Sequence, residues 1–310
     1  MNKLIVSSSP HIRRKKDTPS IMLDVVIALL PAVIASVVLY GFKALIILAT
    51  CVLTAVVSEF LFNLITKRAQ TIFDFSAVIT GLILGLGLST KVQIWQCVLA
   101  SVFAIIVVKC FFGGLGANFA NPAATARIFL LICFSNVVAG GVAPDLTAGA
   151  TPLEIIKGGL EQELPSLLDM FLGKRGGAIG EGCILALVIG FIYLVARGVI
   201  KFETPLIMIA TVFVLSLIES GDAKIALYQT LGGGVIFAAI FMITDYSTTP
   251  ITRSGKMIFA FGCGLITFLI RTYGGYPEGA SFAILLMNIL SPAIELLTRP
   301  RALGKRGKKA

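Results

Sequence analysis

The chain has 310 residues, of which 57% are hydrophobic and 14% are charged, and its formal net charge is +10. A soluble domain has about 45–50% apolar and about 25% charged residues, and its interior cannot hide such an apolar excess. The composition excludes a disordered chain, argues against a soluble enzyme or a nucleic-acid-binding module, and predicts an integral membrane protein with the lipid bilayer as its partner.

Ten apolar runs follow one another along the chain, and a membrane-spanning helix needs about 20 such residues. The runs cover residues 21–40, 44–65, 72–89, 92–112, 122–140, 181–199, 203–219, 225–243, 257–271 and 280–298. The sequence therefore predicts an all-α polytopic membrane protein with about ten transmembrane helices. We divide it into a first bundle half at residues 21–140 and a second at residues 181–298.

Basic residues are concentrated at the two ends, in residues 1–20 and 299–310. With both ends placed inside, nineteen of the 26 Lys and Arg residues lie on or near the inner side. Short cytoplasmic segments are enriched in Lys and Arg. We therefore expect a multi-pass protein of the cytoplasmic (inner) membrane with both termini cytoplasmic, and an external segment at residues 141–180.

The two halves show a weak likeness at an offset of about 130 residues, at which Pro122 corresponds to Pro250 and Arg127 lies near the position of Arg253. Duplicated membrane units often place a site in broken helices where the repeats meet. Chance similarity between two apolar hairpins remains the alternative.

Residues 113–127 form the first irregular segment, with four glycines or prolines among polar side chains. Glycine lets a backbone approach a ligand closely, and Asn121 followed by proline is typical of a helix start. Free N–H groups there, together with Arg127, would suit a polar or anionic ring system. We predict that Asn118, Asn121 and Arg127 shape a cofactor-binding polar cavity; a re-entrant packing turn is the alternative.

Two further features inside the apolar pattern are open to more than one interpretation. Residues 244–256 contain several hydroxyls, one acid and two bases, and they could bind a polar head group or cap two helices, which we favour. Glu59 is the deepest acid in the predicted spans and a candidate for a role in cation movement. The six cysteines show no C-x-x-C spacing, so no metal site is predicted.

The external segment at residues 141–180 is long enough to suggest a function. Within it, Thr151, Pro152 and Glu154 have the order of a helix N-terminus with a capping box, in which Thr151 is the cap. Such a cap needs no further function.

The motif Gly149-Ala150-Thr151, between blocks that read GGLGANFANPA and TDYSTTP, resembles the D subunit of the Rnf electron-transport complex. The B subunit of the sodium-translocating NADH:quinone reductase is related to it. The resemblance covers essentially the whole chain and implies that Thr151 carries FMN through a phosphoester bond, with Gly149 and Ala150 leaving room for it. The family often has Ser or Thr before this motif, whereas this chain has Ala148.

The resemblance also implies a role and partners. It implies a flavin-carrying subunit of a translocase in which electron transfer between ferredoxin and NAD is coupled to Na⁺ or H⁺ movement. It implies association with subunits A, B, C, E and G, maturation by a flavin transferase, and room for a second, non-covalent riboflavin. The alternative from another class is a small-solute channel or transporter built from two membrane repeats.

Overall fold

The computed structural model describes residues 17–135, 151–158, 164–276 and 278–300, and these residues form helices without a β-strand. Thirteen α-helices occur in this described part of the chain. They are α1 (Thr18–Tyr40), α2 (Phe42–Ile65), α3 (Ser76–Leu86), α4 (Ile94–Val102), α5 (Pro122–Cys133), α6 (Pro152–Gly158), α7 (Leu167–Leu172), α8 (Ile184–Ala196), α9 (Glu203–Ser220), α10 (Ala223–Leu231), α11 (Val235–Phe237), α12 (Arg253–Tyr273) and α13 (Ala280–Thr298).

The prediction of an all-α, multi-pass membrane protein is confirmed, but the count of about ten spans is not. Among the described residues, α1, α2, α9, α12 and α13 are long and apolar enough to cross a membrane. A sixth span results if α10 and the helix at Val235–Met242, which are bent by 59° at a short break, are counted together. Several other apolar runs are interrupted by glycine, proline and polar residues, which leaves helices such as α3 and α5 shorter than a hydrocarbon core of about 30 Å.

Two of these helices continue into a π-helix. This geometry is rare in proteins, and where it occurs it often lies at a functional site. The first, Phe103–Cys110, continues α4, and the second, Ala238–Met242, continues α11. Each π-helix leads into one of the irregular segments noted in the sequence, at residues 113–127 and 244–256. The two π-helices therefore occur at close to the offset predicted for the two halves.

One end of the bundle, here called the terminal end, contains the start of α1 and the end of α13, the first and last helices described. The hydroxyl oxygens of Thr252, just before α12, and Thr298, at the end of α13, lie 2.6 Å apart. Met22 near the start of α1 and Lys256 near the start of α12 line one cavity. The start of α1 and the end of α13 are therefore on the same side of the bundle.

The opposite end, here called the loop end, gathers the short helices of the central segment. Lys157 of α6 donates a hydrogen bond to the carbonyl of Tyr276, beyond the end of α12, at 3.3 Å. A Cβ added to Gly173 would lie 2.7 Å from Leu39 Cδ1, close to the end of α1. Residue 151 and the helix that follows it thus lie at the end away from the termini.

Small residues bring the long helices into close contact, as is common between helices in membranes. A Cβ on Gly81 of α3 would lie 2.7 Å from Val52 Cα of α2, and one on Gly190 of α8 would lie 2.3 Å from the Ala28 carbonyl oxygen of α1. The outer faces carry exposed large apolar side chains, such as Val38. Small residues between the helices and large apolar side chains on the outer faces suit a protein surrounded by lipid.

Gly81→Ala is expected to lower the free energy of unfolding by about 1–3 kcal/mol, because the added methyl group would overlap the α2 backbone. Reversible unfolding by SDS in mixed micelles measures the effect. Gly275→Ala is the control, since its Cβ would meet no described atom within 4 Å, and it should change that free energy by no more than about 0.5 kcal/mol. Equal effects of both variants would show that α2 and α3 are not tightly packed.

Candidate functional site

A cavity of about 260 Å³ opens at the terminal end between the two halves of the chain. Both irregular segments line it, together with the first turns of α1 and α3 and the two π-helices. Its polar wall contains Ser76, Lys109, Asn118 and Asn121 from the first half and Thr244, Asp245, Tyr246, Ser247 and Thr249 from the second. The cavity therefore has the position that a duplicated unit with broken helices predicts.

Asn118 and Asn121 form one side of this cavity. Asn121 Oδ1 accepts hydrogen bonds from the N–H groups of Ala123 and Ala124, both at 3.1 Å, so Asn121 is the N-cap of α5 as the sequence predicts. Asn118 is 9% exposed, and its Oδ1 has no hydrogen-bond partner among the described residues. A buried amide oxygen without a partner is costly, so Asn118 is available to a ligand.

The other side of the cavity is a rigid turn centred on Asp245. Its Oδ1 accepts hydrogen bonds from the N–H of Ser247 at 3.1 Å and the hydroxyl of Ser247 at 2.9 Å, and its Oδ2 accepts one from Thr248 at 3.2 Å. Burial raises the pKa of the Asp245 carboxyl above its ordinary value, although these hydrogen bonds oppose the shift. Thr252 accepts from the N–H of Gly255 at 3.0 Å, so the predicted helix cap is confirmed there.

Asn288 of α13 connects the two irregular segments. With its amide oriented to satisfy both neighbours, its oxygen accepts a hydrogen bond from Asn121 N at 2.9 Å and its nitrogen donates one to the Thr248 carbonyl at 3.3 Å. One side chain thus fixes the spacing between the two walls of the cavity.

A buried ion pair joins Lys109 in the cavity wall to Glu59, which does not line the cavity. Lys109 Nζ donates to both carboxylate oxygens of Glu59 at 2.9 Å and to Ser76 Oγ at 2.6 Å. Glu59 Oε1 also accepts from the hydroxyl of Thr71 at 2.6 Å. Glu59, the deepest acid in the sequence, is therefore fully paired by side chains of this chain.

Arg127 does not line the cavity. Its Nη2 donates to Glu181 Oε1 at 2.9 Å and to Glu278 Oε2 at 2.5 Å, and its Nη1 donates to Ser281 Oγ at 3.3 Å. The two carboxylates come from segments at the loop end. The three residues predicted to share a cavity thus fall into two places, with Asn118 and Asn121 in one and Arg127 in the other.

The same cluster closes the break between α10 and α11. Arg175 donates to the Leu231 carbonyl at 2.8 Å, and Arg271 donates to the carbonyls of Gln229 and Gly232. Cations at the C-terminus of a helix interact favourably with its dipole and satisfy its free carbonyls. A Cβ on Gly234 would lie 2.6 Å from Glu181 Oε1, so only glycine allows the carboxylate to approach the start of α11 this closely.

Thr151 lies at the loop end, at the start of α6, and is half-buried. Its N–H donates to Glu154 Oε2 at 2.7 Å, and its Oγ1 accepts from the N–H of Glu154 at 3.2 Å, so the predicted capping box is present. Leu153 packs against the helix break, where its Cδ1 would lie 2.8 Å from a Cβ on Gly233. Gly149 and Ala150 of the motif lie outside the described residues.

Most of the charged residues that organise these sites were not predicted from the sequence as site residues. Lys109, Arg175 and Arg271 were counted there only as markers of topology, and Glu181 and Glu278 were not singled out. Asn288 was not singled out either. The charge of these residues could have identified them in the sequence. An ionisable residue within an apolar membrane segment is energetically costly and by default has a partner or a function.

Arg127→Met is expected to lower the free energy of unfolding by about 3–5 kcal/mol, because it leaves two carboxylates near each other without their shared cation. Reversible unfolding in mixed micelles measures this loss. Arg253→Met is the matched control, since Arg253 pairs with Glu203 while 67% of its side chain is exposed, and it should have little effect. A loss at Arg127 no larger than that at Arg253 would contradict the assignment of a buried cluster.

Three relatives are similar to the chain over nearly all of its length. The D subunit of the Na(+)-translocating ferredoxin:NAD(+) oxidoreductase complex of Acetobacterium woodii is 45% identical over 306 residues, covering 97% of this chain and 95% of that protein. The D subunit of the proton-translocating ferredoxin:NAD(+) oxidoreductase complex of Clostridium ljungdahlii is 37% identical, with coverage of 98% and 97%. The D subunit of the ion-translocating oxidoreductase complex of Stutzerimonas stutzeri is 35% identical, with 93% of each chain covered.

These similarities confirm the resemblance to the Rnf D subunit that the motifs indicated. The family model described as NQR2, RnfD, RnfE matches residues 5–304, a range that contains the cavity, the charge cluster and Thr151. The chain therefore belongs to the NQR2, RnfD, RnfE family.

Proposed function

We propose that the chain is the flavin-carrying D subunit of an Rnf-type ion-translocating oxidoreductase complex, in which electron transfer between ferredoxin and NAD is coupled to Na⁺ or H⁺ movement. Its family and the printed names of its relatives support this role. The observation that carries the flavin part is the position of Thr151, a half-buried residue whose hydroxyl follows Gly-Ala at the loop end.

Thr151 fits a covalent attachment point for FMN. The capping box holds its backbone in place, and Lys157 and Leu153 anchor α6 to the bundle on either side of Glu154. A phosphoester on Oγ1 would therefore be attached to a fixed element, with small residues before it in the sequence. The flavin would supply one- and two-electron chemistry, which belongs to the cofactor.

The cavity at the terminal end fits a second, non-covalent flavin such as riboflavin. Asn118 offers an amide oxygen that no described residue satisfies, and Asn121 and Asp245 line the two sides of the cavity. Arg127 would support this site without touching it, because its ion pairs hold α5 in place. It lies about 9 Å along that helix from Asn121, at a rise of about 1.5 Å per residue. Asn118 and Asn121 would bind the ring, and Arg127 would hold the helix that presents it.

The basic ends of the chain support an orientation with the terminal end cytoplasmic and the loop end external. Thr151 would then meet the flavin transferase outside, whereas the cavity would open to the cytoplasm. If the four shorter apolar helices each belonged to a broken span, the chain would cross the membrane ten times, an even number that agrees with both termini on one side. Subunits A, B, C, E and G would contact the apolar outer faces and supply the other redox centres in the inner membrane.

A small-solute channel or transporter remains the second candidate, because the cavity lies between two halves with a bent helix pair beside it. The presence of bound flavin distinguishes the two candidate functions, since a channel without redox chemistry needs no flavin. A denatured gel band that fluoresces under ultraviolet light supports the first candidate.

Thr151→Ala is expected to abolish covalent flavin when the chain is coexpressed with its flavin transferase, because the acceptor oxygen is gone. Intact-chain mass spectrometry should show the loss of one FMN. The fold should survive, since the lost cap costs only about 0.5–2 kcal/mol.

Thr147→Ala is the control, because its hydroxyl lies four residues away in the same segment, and it should keep the flavin. Thr151→Ser retains a hydroxyl and a cap and is expected to keep part of it. Flavin on Thr151→Ala but not on Thr147→Ala would assign the bond to the other threonine, and no flavin on any of them would favour the channel.

For the second flavin, the Thr151→Ala chain is expected to retain riboflavin that denaturation releases, at about one per chain. Asn118→Leu in that background should remove it, because the free amide oxygen is lost from the cavity wall. Gln96→Leu is the matched control, since this amide side chain is similarly buried, lies in the first turn of α4 and does not line the cavity. Retention in both variants, or riboflavin absent from the parent, would argue against a flavin in the cavity.

A further inference from the structure

We infer that Lys109 is a positioning residue that sets the reduction potential of the ring bound in the terminal-end cavity, with Glu59 as its counter-charge. This inference rests on the proposed flavin in that cavity. It concerns an ion pair in which Lys109 lines the cavity and Glu59 does not.

Lys109 is a fixed positive charge in the wall of the cavity. Only 1% of the residue is exposed, and the π-helix Phe103–Cys110 presents it toward the cavity beside Ser76. Its three N–H donors are used by the two oxygens of Glu59 and by Ser76 Oγ, which keeps the ammonium group in one position. A charge held away from solvent is screened much less than one at a surface.

The other charges on the cavity wall differ from Lys109 in their surroundings. Lys201 is exposed and Lys256 is half-buried, so water and salt screen both. Asp245 has both carboxylate oxygens engaged by the hydroxyls of its own turn. Lys109 is thus the most deeply buried cation that lines this cavity among the described residues.

Glu59 stands one layer farther from the cavity. It does not line the cavity, and its carboxylate accepts from Lys109 on one side and from Thr71 on the other. The pair therefore presents its positive end to a bound ring and its negative end to the space between α2 and the π-helix. A ring in the cavity would be nearer to the ammonium than to the carboxylate.

One electron added without a proton gives the ring one negative charge, and this electron comes from a one-electron carrier of the complex, which is oxidised in the same step. No covalent bond in this chain changes. The ammonium of Lys109 favours the added charge and the carboxylate of Glu59 opposes it. Removing Glu59's charge should therefore raise the reduction potential, and removing Lys109's charge should lower it.

A purely structural ion pair would behave differently. If Lys109 and Glu59 only held α2 against the π-helix, loss of either charge would weaken the same contact, and the potential would stay or move in one direction for both. Opposite shifts from the two members of one pair are therefore diagnostic of an electrostatic effect on the ring.

The experiment uses the full chain carrying Thr151→Ala, so that only the cavity flavin remains, and follows its reduction by absorbance in a potentiometric titration. Glu59→Gln should shift the potential upward, and Lys109→Met should shift it downward. Each shift should correspond to a change of about tenfold or more in the ratio of affinities for reduced and oxidised riboflavin, as expected for a unit charge within about 10 Å at an effective dielectric of about 20.

Lys109→Met alone leaves Glu59 without its partner, so the double variant Glu59→Gln with Lys109→Met gives the clean comparison. Its potential should fall below that of Glu59→Gln. Lys109→Arg keeps the charge and should stay close to the parent, as should Asp222→Asn, which removes an exposed carboxylate beyond the far end of α9 that does not line the cavity.

Bound flavin with unmoved potentials, or shifts of the same sign in Glu59→Gln and Lys109→Met, would overturn the role of Lys109 and leave the cavity flavin standing. Absence of riboflavin from the parent would instead overturn the cavity flavin, and this role with it.

Discussion

Backbone N–H and C=O groups at membrane depth need partners, and this requirement shapes the irregular segments in the described part of the chain. The break after α10 shows how it is met. Arg175 and Arg271 donate to the carbonyls that the helix leaves open, while the glycines let Glu181 approach from the other side. The buried arginines then need carboxylates of their own. One buried cluster of charges in this apolar chain is thus located where a helix is bent.

Helix α5 connects the two regions that this requirement creates. Asn121 caps its start within the cavity wall, and Arg127, less than two turns later, belongs to the cluster at the loop end. The segment at residues 151–158 rests on the same break through Leu153. Less than two turns of α5 therefore separate the cavity wall from the charge cluster.

Hydropathy and local motifs predict the helical class, the starts of α5 and α6 and the importance of both irregular segments. These features depend on nearest neighbours along the chain, such as Asn121 before proline or Thr151 before Glu154. The partners of the buried charges could not be predicted, because Lys109 and Glu59 are brought together only by tertiary packing. The number of spans stays a prediction for a related reason. Apolar content does not reveal where a helix is interrupted.

The π-helix at Phe103–Cys110 determines which way Lys109 faces. An α-helix turns by about 100° per residue, and a π-helix accommodates extra residues within a similar number of turns. Removal of one residue from this stretch would restore α-helical geometry and rotate the residues that follow it about the helix axis. The Lys109 ammonium would then leave the cavity wall, although the amino-acid composition of the helix would hardly change. The number of residues in this segment is thus more tightly constrained than the identity of its aliphatic side chains. Relatives should tolerate exchanges among Val, Ile and Ala there more readily than a single insertion or deletion.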